Sequence, residues 1–222
     1  DGIRDHCVTG VQTCALPIYT LLNDSTLIAV VDGGISGAVS VTTPGGIASK
    51  SGFRYSAGCW KFVEKGQSHG VAIKNDGSLW AWGTNDFGQL GNDTLSKTFF
   101  PVQIGTDYDW QSLSVGATHT LAIKKNGTLW GWGENTYGQL GLNDTLTRFS
   151  PVQIGSDNDW QFIFTSFSSF AIKSNGTLWA WGINEYGQLG DGTQTNRRIP
   201  TQIGTDANWK KIQSNWRHTL GI

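Results

Sequence analysis

One tryptophan spacing constrains this chain more than any other feature. Trp60, Trp110, Trp160 and Trp209 recur at intervals of 50, 50 and 49 residues, and each opens a copy of the same passage. The second copy runs WQSLSVGATHTLAIKKNGTLWGWGENTYGQLG, then a polar loop, then SPVQIG and an Asp/Asn-rich turn back to tryptophan. The first and third copies share its GQLG and QIG landmarks and read WAWG where it reads WGWG; the fourth stops at Ile222. A period near 50 residues marks a supersecondary unit that cannot bury its apolar face alone, so stacked units share a continuous core. The copies span 60–109, 110–159 and 160–208, with a fourth beginning at 209–222.

The centre of each copy predicts a hairpin. Asp76-Gly77, Asn126-Gly127 and Asn175-Gly176 suit the positive φ angles of a two-residue type I′ turn. Counting outward from such a turn pairs Ile73 with Trp80 and Val71 with Trp82, then Ile123 with Trp130 and Leu121 with Trp132. The third copy pairs Ile172 with Trp179 and Phe170 with Trp181. Side chains alternate along a strand, so the small pairs Ala72–Ala81, Ala122–Gly131 and Ala171–Ala180 take the opposite face. A bulky Trp–Ile face and a shallow Ala–Gly face suit radial stacking, which predicts an all-β propeller with one four-stranded blade per repeat. With 30 Gly, 11 Trp and no Met, composition agrees with strands and turns.

The pattern W…G…HT.AIK..G.LW.WG.N.YGQLG resembles the repeat of the regulator-of-chromosome-condensation family, in its bacterial-type form. The resemblance covers Trp60 to Ile222. Members of that family form seven-bladed propellers, so it implies a partial propeller here, about three blades of seven. Residues 19–58 differ in texture. Alternating β-branched runs, Leu27–Val31 and Ala38–Thr42, lie between Gly-rich turns and suggest short antiparallel strands. Their order resembles the second half of an IPT/TIG domain, which implies part of an immunoglobulin-like β-sandwich. Residues 1–18 resemble a translated sequencing adapter, are expected to be disordered, and are set aside from the fold. Cys7, Cys14 and His6 go with them. Cys59 then stands alone, so neither a disulfide framework nor a cysteine metal site is expected.

Catalytic chemistry finds little foothold. His69, His119 and His218 each fall nine residues after their tryptophan, and in the third copy Ser168 takes that place after a one-residue deletion. A residue that recurs from blade to blade, and that a serine can replace in one of them, points to hydrogen bonding between strands or blades. Trp82, Trp132 and Trp181, like the four opening tryptophans, are expected to be structural in the same way. The Asp107/Asp109, Asp157/Asp159 and Asp206/Asn208 pairs lack the ligand count of a calcium loop and suggest capped turns. Asn92-Asp93-Thr94, Asn143-Asp144-Thr145 and Asp191-Gly192-Thr193 suggest turns as well. GQLG lacks the Lys-Ser/Thr of a phosphate loop and suggests a tight turn over a buried leucine, Leu90, Leu140 or Leu189. No catalytic residue, cofactor or metal site is predicted.

Function is then expected where exposed loops differ between copies. Just before the recurrent histidine stand Gln67-Ser68, Ala117-Thr118, Ser166-Phe167 and Trp216-Arg217. Two further sets, Thr84/Glu134/Ile183 and Asp86/Thr136/Glu185, precede GQLG. An aromatic beside an arginine is the composition of an interface anchor. The candidate partner-binding residues are Gln67, Ser68, Thr118, Glu134, Phe167, Glu185, Trp216 and Arg217. A net charge of -1 gives no electrostatic reason to expect nucleic acid, and Lys210-Lys211 and Arg197-Arg198 are too isolated to change that. No apolar run approaches the roughly 20 residues of a transmembrane helix. The expected function is a non-catalytic scaffold for a protein or glycan, secreted or on a bacterial cell surface as the IPT/TIG resemblance implies. The propeller resemblance also allows a guanine-nucleotide exchange factor for a small GTPase, or an enzyme inhibitor, with an intracellular location for the former.

Overall fold

The structure is a computed structural model that describes residues 60–222 in full and, before them, five strands at the level of the backbone. These are β1 (Val8–Thr9), β2 (Ile18–Asn23), β3 (Thr26–Val30), β4 (Gly37–Thr43) and β5 (Gly46–Phe53). β2 pairs with β3, and β4 with β1 and β5, all antiparallel. The expected sandwich and the remainder of the adapter-like stretch lie outside the described residues.

Each repeat forms one antiparallel sheet in sequence order. The first blade holds β6 (Trp60–Lys65), β7 (His69–Lys74), β8 (Leu79–Gly83) and β9 (Thr98–Ile104). The second holds β10 (Trp110–Val115), β11 (His119–Lys124), β12 (Leu129–Gly133) and β13 (Arg148–Gln153). The third holds β14 (Trp160–Thr165), β15 (Ser168–Lys173), β16 (Leu178–Gly182) and β17 (Arg197–Gln202). The fourth copy contributes the pair β18 (Ile212–Ser214) and β19 (Thr219–Gly221). β14 packs against both β10 and β11, so successive sheets stack face to face.

The central hairpin differs from the expected one, and the difference moves every side chain. Gly127 N–H bonds the Lys124 carbonyl at 2.9 Å, and Lys124 N–H bonds the Thr128 carbonyl at 3.1 Å. The loop is therefore three residues, Lys125-Asn126-Gly127, with Gly127 alone at positive φ (79°). This is a type I turn closed by a left-handed glycine, not a type I′ turn. Asn126 serves it with its side chain, whose Oδ1 accepts from Thr128 N (3.1 Å) and Oγ1 (2.7 Å). The third blade repeats these bonds around Gly176.

One extra loop residue shifts the register by one. Leu121 lies opposite Gly131, Ala122 opposite Trp130 and Thr120 opposite Trp132. In the other blades Ala72 lies opposite Trp80, Val71 opposite Ala81, Ala171 opposite Trp179 and Phe170 opposite Ala180. The expected Ile123–Trp130, Leu121–Trp132 and Ala122–Gly131 pairs, with their counterparts in the other two copies, are thus replaced. Neither face is uniformly bulky. One carries tryptophans opposite Ala, Gly, Ser or Thr, and the other carries Val, Leu or Phe opposite Ala or Gly beside an Ile–Leu pair.

Packing follows from this pairing of large with small. The aliphatic face of the first blade (Val71, Ile73, Leu79, Ala81) forms one core with Ala122, Trp110 and Trp132 of the second. Leu121, Ile123 and Leu129 of the second blade meet Ala171, Trp160 and Trp181 of the third. Phe170, Ile172 and Leu178 meet Ile212 of the fourth copy, with Trp209 packed beside them. Trp132 and Trp181 are fully buried, each removing roughly 200 Å² of largely apolar surface from water. Leu90, Leu140 and Leu189 of the GQLG turns are buried too.

The turn glycine is also a contact between blades. A Cβ on Gly127 would collide with the carbonyl oxygen of Asn158, in the turn that leads into the third blade. Gly127 and Gly176 accept in turn from Trp160 N and Trp209 N, both at 3.2 Å. Gly127→Ala therefore combines left-handed strain with a steric block and is expected to cost more than about 2 kcal/mol. A urea unfolding midpoint unchanged from the parent chain would contradict this account of the turn.

Candidate interaction surface

The recurring polar residues join one blade to the next. The backbone carbonyl of Gln89 accepts from Trp132 Nε1 (3.0 Å) and Thr120 Oγ1 (3.3 Å) of the following blade. That of Gln139 accepts from Trp181 Nε1 (2.9 Å) and Ser169 Oγ (2.7 Å). Gln188 O accepts from Thr219 Oγ1 at 2.7 Å. The same hydroxyls meet the preceding histidine: His119 Nε2 lies 2.9 Å from Ser169 Oγ, and His69 Nε2 lies 3.4 Å from Thr120 Oγ1. Because Ser169 gives its only proton to Gln139, His119 donates from Nε2–H. In the third blade Ser168 stands in the histidine's place and donates to the Ile183 carbonyl at 2.7 Å. His218 is exposed and lies 2.8 Å from Asn215 Nδ2.

Lysines and aspartates form a second link. Lys124 Nζ reaches Asp107 Oδ2 (2.6 Å) and Asp109 Oδ1 (3.2 Å), and sits 4.8 and 4.6 Å from the Trp110 and Trp130 rings. Lys173 repeats this with Asp157, Asp159, Trp160 and Trp179. The aspartate pairs expected to cap their own turns thus hold an ammonium between two indoles. Burial alone lowers a lysine pKa, but hydrogen bonds and charge from both aspartates hold Lys124 and Lys173 above the ordinary value. Among the described residues no cluster of three or more His, Cys, Asp or Glu side chains is placed to hold a metal.

A third device makes the polar loops rigid. Asn85, Asn135 and Asn184 are wholly buried, and each accepts from the leucine N–H of GQLG at 2.9 Å. Their amide groups donate into the loop beyond, to Asn92, Asp144 and Asp191 respectively. Burial would raise the Asp191 pKa, yet bonds from Thr193, Arg197 and Asn184 bring it down to about 2. These asparagines recur in each of the three complete copies, and that recurrence was the available signal for their role.

What differs between copies collects at one end of the sheets. In an antiparallel sheet of consecutive strands, the first and third connections leave from the same edge, so the two variable sets are neighbours. Ser68 Oγ lies 2.6 Å from Thr84 Oγ1, and Thr118 Oγ1 donates to Glu134 Oε2 at 2.5 Å. Gln67 and Glu185 are exposed there. Further along, the Phe167 and Trp216 rings are 5.8 Å apart, and Arg217 lies 4.7 Å from the Tyr186 ring and 5.0 Å from Trp216. Trp216 remains 51% exposed, although Gln188 Nε2 holds its carbonyl at 3.2 Å. Polar pairs on the first two blades thus give way to an aromatic–arginine cluster on the third and fourth.

With these features in place, the chain is identified as a member of the family of regulator of chromosome condensation (RCC1) repeats. The family pattern matches residues 76–123, 126–166 and 175–222, together over half of the chain. A Caenorhabditis elegans protein, the X-linked retinitis pigmentosa GTPase regulator homolog, is 40% identical over 55 residues, 21% of this chain and 4% of that protein. Solved structures share the fold with TM-scores above 0.6. Prp20p of Saccharomyces cerevisiae, studied with its binding to Gsp1p and histones, gives 0.63 at 18% identity over 82% of this chain and 52% of its own. Human WBSCR16 gives 0.61 at 19% identity over 79% and 54%. The chain therefore spans about half the length of these structural relatives.

Burial pulls the pKa of His69 down to about 4, and that of His119 to about 3 with a smaller push from His69. Both are neutral in the fold, and an unfolded histidine titrates near 6.5. The stability they confer is whole above pH 6.5 and falls as the unfolded chain takes up protons below it. At pH 5 each buried histidine is expected to cost on the order of 2 kcal/mol relative to pH 7. Urea midpoints for the parent and His119→Gln at the two pH values test this, and the variant's midpoint should fall less.

Proposed function

We propose that this chain is a non-catalytic scaffold that binds a protein partner through the loops at one end of its blades. One observation carries the proposal. The recurring hydroxyl, indole, lysine and aspartate residues are engaged between blades in the second and third copies, as is His119 of the second, while those that vary gather on a single edge. Trp216 and Phe167 supply rigid apolar area, and Arg217, held over Tyr186, supplies a planar donor fork, the composition of a binding anchor. The same ring pair would stack on a sugar, which makes a glycan the second ligand class. The segment 19–58, with its resemblance to an IPT/TIG module, supports a location outside the cell or at its surface.

Likeness to Prp20p at 18% identity supports the fold, and the exchange reading is tested separately. The purified chain is expected to leave nucleotide release from a small GTPase unaccelerated in a fluorescent-nucleotide assay. A concentration-dependent acceleration would replace the scaffold reading with exchange. For a protein or glycan ligand found by array screening, Trp216→Ala with Arg217→Ala should weaken binding at least tenfold with the urea midpoint unmoved. Equal binding by parent and variant would remove this edge from the interface.

A further inference from the structure

One recurrent side chain is left exposed. Phe87, Tyr137 and Tyr186 stand just before Gly-Gln-Leu-Gly in the three complete copies and are 42%, 39% and 47% exposed. The blade of Tyr137 has a neighbouring blade on each side, yet the ring is nearly as exposed as that of Phe87, so the exposure belongs to the repeat. Its position is fixed as well. In each copy the aromatic residue's N–H donates at 2.9 Å to the side chain of the glutamine two places on.

One of the three rings carries a cation. The Arg217 guanidinium lies 4.7 Å from the Tyr186 ring of the preceding copy. Thr118 and Phe167 hold the place of Arg217, just before the histidine or its serine replacement, in the second and third copies. The junctions share the hydroxyl bond to the glutamine carbonyl, so the Thr118 backbone lies an arginine's length from the Phe87 ring. Thr118 is too short to cover that ring. Its hydroxyl donates instead to Glu134 Oε2 at 2.5 Å, and Thr136 Oγ1 donates to Glu134 Oε1 at 3.1 Å. Each carboxylate oxygen keeps a lone pair for a further donor. At the second junction Phe167 and Ile183 replace Thr118 and Glu134, and the setting is apolar. The first junction alone thus combines an exposed ring with a fixed carboxylate and no arginine. Residues 66–68, 84–88, 116–118 and 134–138 contain Asp86 and Glu134 but no lysine or arginine.

We propose that the first junction is a docking site for an arginine on a basic segment of a partner protein, stacked on Phe87 and paired with Glu134. This rests on the scaffold reading above and gives the partner a chemistry. A guanidinium makes both contacts at once, because its flat face stacks on a ring while its edge donates to a carboxylate. An ammonium of equal charge has no such face. Arg217 makes the stacking contact from within the chain at Tyr186; at Phe87 the partner supplies it.

The probe is a fluorescein-labelled octapeptide of alternating arginine and glycine, titrated into the full chain and followed by anisotropy beside its lysine–glycine counterpart. Saturable binding is expected, at least about threefold tighter for the arginine peptide. Phe87→Leu keeps the apolar bulk and the charge but removes the π face, and should weaken the arginine peptide by about threefold or more. Glu134→Gln should weaken both peptides. Thr118→Arg gives the first junction the residue of the fourth copy and should abolish binding by filling the site from within. Urea midpoints equal to the parent's establish that the variants fold; should Phe87→Leu misfold, Glu134→Gln and Thr118→Arg decide. Absence of saturable binding, equal affinity for the two peptides, or parent-like binding by any of the folded variants would overturn the proposal. A protein ligand weakened by Trp216→Ala with Arg217→Ala but bound equally by Thr118→Arg would overturn it too, and would leave the scaffold reading standing.

Discussion

Blade stacking in this protein depends on one acceptor, the backbone carbonyl of the glutamine in each GQLG turn. Burying an indole N–H unpaired costs about 1–3 kcal/mol, a cost that the fully buried Trp132 and Trp181 avoid by donating to Gln89 O and Gln139 O, whereas Trp110 and Trp160 bury theirs without a partner. The turn is shaped to present that carbonyl. Gly88 and Gly91 both sit at positive φ, and the Asn85 carbonyl oxygen accepts from Gly88 N. The Gln89 side chain is occupied locally by Phe87 N, which leaves its backbone carbonyl for the next blade. The recurrence of Asn, Gly, Gln and Gly thus follows from a single hydrogen-bond requirement at the interface.

The limits of what the residues disclosed follow from the same chemistry. The period, the strands around each hairpin and the buried GQLG leucines were legible because they depend on local pattern. Register was not. Asn-Gly and Asp-Gly suit both a two-residue type I′ loop and the last two places of a three-residue loop, and only the partner strand distinguishes them. That one residue moved Ala122 under Trp130 and exchanged the membership of both faces. The lysine at the end of AIK was hidden for another reason: its aspartates lie 15 and 17 positions earlier, beyond any local period. At the variable edge, Thr118 and Glu134 were visible as members of two separate sets. Their contact emerges only once β11 is known to lie between β10 and β12.

Drift within the repeat shows what the junction tolerates. Where Ser168 replaces the histidine, the hydroxyl of Thr219 loses its imidazole neighbour and lies instead 2.9 Å from Ser214 Oγ. The bond from Thr219 to Gln188 O persists at 2.7 Å. The carbonyl's donor is kept while the histidine is replaced, so the imidazole supports the hydroxyl and the hydroxyl supports the stack. The lysine cage is of the supporting kind as well. Its aspartates remain 39–52% exposed, and ion pairs so hydrated contribute modestly, so the indoles flanking the ammonium supply much of its fixed position.

These junctions also give the array a direction. One face of a blade carries indole and hydroxyl donors, and the other carries the glutamine carbonyl and an aliphatic bed. Two donor faces placed together would bury indole N–H groups with no acceptor, and two acceptor faces would bury carbonyls with no donor. Only head-to-tail stacking satisfies both, which makes every junction heterologous, the class of contact that either closes into a ring or continues. Direction in turn separates the two kinds of surface. The faces are committed to neighbouring blades by polar matching, so loop residues at the sheet edge can change from Gln67 to Trp216 without disturbing the stack. Recognition can diversify on that edge because the glutamine carbonyls hold the faces constant.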